Sequence, residues 1–131
     1  MARILVIDDD KFVVAIIAGT LKNVGHEVEV AYDGEAGEQM FDAGDFDAVI
    51  CDMLMPRQEG IETIRHMRGA KPGAAIVAVS GGLGTDFDVL AVAKQVGAHV
   101  TVAKPFHAPQ IVAAVDEALA CVHAAPSKAR A

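Results

Sequence analysis

The chain alternates two kinds of segment: short continuous apolar runs, and longer stretches in which apolar positions return every three or four residues. A short branched apolar run is what a strand covered on both faces looks like, and the three-or-four spacing marks a helix with one covered side. Ile4-Leu5-Val6-Ile7 is the first strand. Lys11–Val24 is the first helix, with Val13, Ile16, Ile17, Thr20, Leu21 and Val24 as its inward stripe and Gly25 as its stop. Glu27–Ala31 alternates, as an edge strand does, and Asp33-Gly34 turns the chain into a helix over Glu35–Ala43 with Ala36, Met40 and Phe41 inward. Ala48–Cys51 is a third strand ending at Asp52; Pro56 and Gly60 punctuate the loop before a helix over Ile61–Met67. After the turn Lys71-Pro72-Gly73, Ala75–Val79 is a fourth strand ending at Ser80. The loop Gly81-Gly82-Leu83-Gly84 leads to a helix over Asp86–Val96, closed by Gly97. Val100–Ala103 is a fifth strand ending at Lys104-Pro105. The last helix runs from Ala108 to about Val122, with Ile111, Val112, Val115, Leu119 and Val122 inward.

The order is therefore strand–helix repeated five times. Each crossover has room for a helix, which requires parallel strands joined by right-handed connections. The predicted fold is α/β: a flavodoxin-like (βα)5 doubly wound parallel sheet with strand order 2-1-3-4-5. Residues 1–123 form one domain, and 124–131, which lack apolar period, are expected to be a disordered tail.

Composition narrows the function. With 53% hydrophobic residues, no Trp and one Tyr, the core must be aliphatic. A formal net charge of -7 argues against a nucleic-acid-binding surface, which needs a basic patch. Cys51 and Cys121 stand far apart without metal-site spacing and are expected to be reduced, buried thiols. The five histidines, His26, His66, His99, His107 and His123, are scattered and are expected to be solvated or capping. No apolar run is long enough for a signal peptide or a membrane span, so a cytoplasmic protein is expected.

In a doubly wound sheet the working site lies at the carboxyl ends of the strands. There the chain offers Asp8-Asp9-Asp10, Asp52, Ser80 and Lys104. Carboxylates crowded at one edge repel each other, and a hard divalent cation with an opposing ammonium relieves the conflict. A carboxylate flanked by Mg2+, an ammonium and a hydroxyl is placed to attack phosphorus. Asp10 is expected to cap the first helix.

ILVIDDD, DAVICDMLMP, IVAVSGG and TVAKPF, in this order, resemble the receiver domain of two-component response regulators, over about Arg3 to Val122. The resemblance implies that Asp52 accepts a phosphoryl group, that Asp9, Asp52 and the Leu54 carbonyl bind Mg2+ directly, and that Asp8 acts on the metal through water. It implies that Ser80 bonds the phosphoryl group after transfer, and that Lys104 pairs with Asp52 before transfer and with a phosphoryl oxygen afterwards. It also implies a cis Lys104-Pro105 bond. The donor would be a histidine kinase or a histidine phosphotransfer protein, docked on the first helix, where Val14 and Ala18 are expected to be exposed beside the site. With no output domain expected after the fifth helix, the signal would pass to a downstream protein or by onward phosphotransfer, without turnover as an enzyme. Two features depart from the family pattern: Thr101 replaces the usual aromatic switch residue, and Leu54 and Gly82 stand where polar groups often orient the hydrolytic water, so slow loss of phosphate is expected. An aspartate-nucleophile phosphohydrolase would need an acid two residues after Asp52, where Leu54 stands.

Overall fold

The computed structural model describes residues 1–53, 59–80 and 86–130. Leu54, Met55, Pro56 and the Gly81–Gly84 loop lie outside the described residues. The strands are β1 (Arg3–Ile7), β2 (Glu27–Ala31), β3 (Ala48–Asp52), β4 (Ala75–Ser80) and β5 (Val100–Ala103). The helices are α1 (Lys11–Asn23), α2 (Gly34–Ala43), α3 (Glu59–Ala70), α4 (Asp86–Val96) and α5 (Ala108–Arg130). All strand pairs are parallel and the order is β2-β1-β3-β4-β5, as expected. β3 and β4 are buried along their whole length because helices cover both faces, whereas edge strand β2 buries alternate residues only in part.

Side-chain alternation divides the interior into two layers. Ile4, Val6, Ile50, Val77 and Val79 face α1 and α5, meeting Val14, Ile17, Leu21, Ile111 and Val115. Leu5, Ile7, Val49, Cys51, Ile76 and Ala78 face the other way, meeting Phe41, Ile64, Met67 and Ala93. Gly25, at φ +100, ends α1 in the left-handed conformation, and His26 N–H closes back on Leu21 C=O at 3.1 Å.

The inward face of α1 differs from the expected one. The buried residues are Val14, Ile17, Ala18 and Leu21, while Val13 packs only partly and Ile16 and Val24 are 46% and 50% exposed. The helix carries more apolar residues than one stripe can hold, so apolarity alone defines two overlapping faces. The fold buries the one that carries Val14, Ile17, Ala18 and Leu21. Val14 and Ala18 are thus core residues, and the exposed apolar pair on α1 is Phe12 and Ile16.

Other departures are smaller. Cys51 is buried, but Cys121 is exposed, because α5 turns Ile111, Ala114, Val115, Ala118 and Val122 inward and leaves position 121 on the flank. The helical backbone of α5 continues to Arg130, past Val122, the last expected residue. The histidines are more engaged than their scatter suggests. His26 and His99 accept backbone N–H groups through Nδ1, and His66 lies between Asp42 and Glu38, joining α2 to α3.

Candidate phosphoacceptor site

The carboxyl ends of β1, β3, β4 and β5 deliver the predicted residues to one place. Asp8 follows β1 and is 2% exposed; Asp52, the last residue of β3, is 3% exposed. Asp9, next to Asp8, is exposed at the mouth of the site. Carboxylate oxygens of Asp8, Asp9 and Asp52 lie within 4.8 Å of one another. Asp10 turns away and caps α1, its Oδ1 accepting the N–H groups of Phe12 at 2.9 Å and Val13 at 3.3 Å, as expected.

Lys104 supplies the cation. Its N–H donates to Ser80 C=O at 2.7 Å, which ties the end of β5 to the end of β4, and the Lys104-Pro105 bond is cis. Its Nζ donates to Asp8 Oδ2 at 3.3 Å and lies 3.8 Å from Asp52 Oδ2. The ammonium therefore bridges two carboxylates and sits closer to Asp8, where the sequence pointed to Asp52 alone. Asp8 uses both oxygens, since Oδ1 accepts the Asp10 N–H at 2.9 Å.

Ser80 ends β4 with its Oγ buried and, among the described residues, without a hydrogen-bond partner. An unpaired buried hydroxyl costs stability, so its presence here points to a ligand group that it would meet. The field of the cluster reaches Cys51: burial, then Asp52, Asp8 and Glu38, push its thiol well above the usual range. Cys51 is thus an inert core thiol. Thr101 is half-buried on β5.

One supporting residue was legible only as a loop signal. Gly60 lies in the first turn of α3, and a Cβ there would come within 2.6 Å of Asp52 O and Met53 Cα. Its bare backbone lets α3 lie directly against the segment that carries Asp52.

A protein-family model for the response regulator receiver domain matches residues 4–116. The chain belongs to this family. The receiver is 27% identical over 113 residues to the transcriptional regulatory protein DltR of Streptococcus agalactiae, covering 86% of this chain and 50% of DltR. It is 32% identical over 113 residues to the cell cycle transcriptional regulator CtrA of Caulobacter vibrioides, covering 86% of this chain and 48% of CtrA. The chain thus spans about half the length of these curated relatives. A response regulator receiver domain protein from Methanospirillum hungatei shares the fold with a TM-score of 0.85 at 24% identity, covering 94% of this chain and 97% of that one. Two-component signalling is the setting of this receiver.

Proposed function

We propose that Asp52 is the phosphoacceptor. The observation that carries this reading is the convergence of Asp8, Asp9, Asp52, Lys104 and a buried Ser80 hydroxyl, unpartnered among the described residues, at the carboxyl ends of adjacent strands. A carboxylate oxygen of Asp52 attacks phosphorus as the bond from phosphorus to the donor nitrogen breaks; the electron pair stays on the donor imidazole, which takes a proton from solvent. The product is an acyl phosphate on β3. Lys104, already shared between two carboxylates, moves onto a phosphoryl oxygen, and Ser80 Oγ donates to another.

The three carboxylates suit a hard divalent cation, since so many acids this close need more positive charge than one ammonium supplies. Asp9 and Asp52, with the Leu54 carbonyl, would hold Mg2+ directly. Asp8, whose two oxygens are already engaged by Lys104 and the Asp10 N–H, would act through water. Bound there, Mg2+ offsets charge on the transferring oxygens.

The phosphoryl donor is a histidine kinase or a histidine phosphotransfer protein, and output goes to a partner protein or onward by phosphotransfer. The acidic balance disfavours a nucleic-acid partner for this segment, and the reading places the protein in the cytoplasm. The test is phosphorylation by a small phosphodonor with and without Mg2+. Wild type should require the metal, and Asp9→Ala should lose most of its benefit. Undiminished Mg2+-dependent labelling of Asp9→Ala would refute the metal assignment.

A further inference from the structure

Both edge strands of the sheet are preceded by a histidine whose ring accepts a backbone N–H hydrogen bond, from Ala2 just before β1 in one case and from Ile76 of β4 in the other. His26 Nδ1 accepts Ala2 N–H at 3.0 Å before β2, and His99 Nδ1 accepts Ile76 N–H at 3.0 Å before β5. At His99 the exchange is reciprocal, because its own N–H donates to Ile76 C=O at 2.8 Å. The β4–β5 ladder begins only at Val77 and Val100. The ring thus provides an acceptor at Ile76 that the strand itself does not reach, and a buried strand N–H needs one.

A backbone N–H can only donate, so Nδ1 carries no proton and the neutral ring holds its proton at Nε2. Arg68 Nη1 of α3 lies 3.4 Å from that Nε2. With a proton on each nitrogen, this is a cation held against a donor rather than a hydrogen bond. The same Nη1 donates to Pro72 C=O at 2.8 Å, which fixes it in place. The Arg68 stem also lies against Gly97, where a Cβ would fall 2.7 Å from Arg68 Cγ. Among the described residues, Arg68 is the charged group that bears on the ring, and β5 itself, Val-Thr-Val-Ala, carries none.

We propose that His99 is a proton-operated clasp on β5: neutral, it fastens the amino end of the strand to β4, and protonated, it releases that end. Protonation removes the acceptor of the Ile76 N–H and sets a second positive charge beside Arg68. The opposite end of β5 stays tied through Lys104 N–H to Ser80, so the opening is local. Burial first, and Arg68 second, hold the His99 ring below its ordinary 6.5. The folded state therefore binds fewer protons than the opened one. The clasp is fully present above pH 6.5 and is lost as pH falls from there through the folded value.

The test is NMR on the full chain, without any phosphodonor, so its outcome is independent of the phosphoacceptor reading. At about pH 7.5 the His99 ring should be the Nε2–H tautomer, with a scalar coupling across the hydrogen bond from the Ile76 amide nitrogen to Nδ1. As pH falls through the folded value of the ring, the coupling should vanish. Exchange protection of the Ile76 amide, corrected for its intrinsic rate, should fall by up to about tenfold per unit that the ring titrates below its ordinary value. Arg68→Met, which keeps the stem, should move the His99 titration upward. His99→Asn offers an acceptor that does not titrate and should flatten the pH dependence at Ile76. A proton on Nδ1 at pH 7.5, a missing coupling there, or protection of Ile76 that ignores pH in wild type would overturn the proposal.

Discussion

Ser80 separates what stabilises this receiver from what equips it for chemistry. A buried hydroxyl without a partner, as Ser80 Oγ is among the described residues, costs about 1–3 kcal/mol of desolvation. Ser80→Ala should therefore leave stability unchanged or raise it by about 1 kcal/mol in a denaturant melt. The same variant should accept a phosphoryl group from a small donor more slowly, because one donor to the transferring oxygens is gone. A variant that is both less stable and fully competent would contradict this account of Ser80. At this scale the sequence was informative where a residue's place follows from its strand: Asp8, Asp9, Asp52, Ser80 and Lys104 all stand at strand ends, and the fold brings strand ends together. It was silent on which carboxylate the Lys104 ammonium prefers. That choice depends on a difference between 3.3 and 3.8 Å, set by side-chain rotamers that no spacing encodes. The same holds for His99, whose role depends on the one ring nitrogen that meets the Ile76 N–H.

Every predicted element is present, because β-branched runs and helical spacing are strong signals in a parallel α/β fold. The rotation of α1 was not legible. Ile17 and Leu21 are buried as expected, but Val13, Ile16 and Val24 are as apolar as Val14, and only the packed interior distinguishes them. The correction moves the expected donor contact outward. Phe12, in the first turn of α1 three residues after Asp9, is 75% exposed, with Ile16 one turn on. Phe12→Ala should slow transfer from a phosphorylated histidine protein about tenfold or more, as loss of an aromatic anchor does. Labelling by a small donor should be unchanged, since the site is intact; equal losses with both donors would count against docking on this face. At α3 the usual sign of a helix substitution reverses. Gly→Ala inside a helix ordinarily stabilises by up to about 1 kcal/mol. At Gly60 the new methyl would meet Asp52 O and Met53 Cα at 2.6 Å, so Gly60→Ala should destabilise by about 1–3 kcal/mol. A chemical denaturation curve decides the sign.

For the molecule as a whole, stability and chemistry meet in the acidic edge of the sheet. Bringing Asp8, Asp9 and Asp52 within 4.8 Å of one another sets like charges against folding, and a bound divalent cation should return that cost. Mg2+ at about a hundredfold excess over its Kd should therefore stabilise wild type by about 2.7 kcal/mol, read as a rise in Tm, and Asp9→Ala should lose most of the rise. Ca2+-free buffer and constant ionic strength keep screening from imitating the effect. The central claim, that Asp52 takes the phosphoryl group, is tested most directly by intact mass after incubation with a small phosphodonor and Mg2+, comparing wild type with Asp52→Asn. Wild type should gain the mass of one phosphoryl group and Asp52→Asn none; a gain that persists in Asp52→Asn would place the acceptor elsewhere and contradict the account.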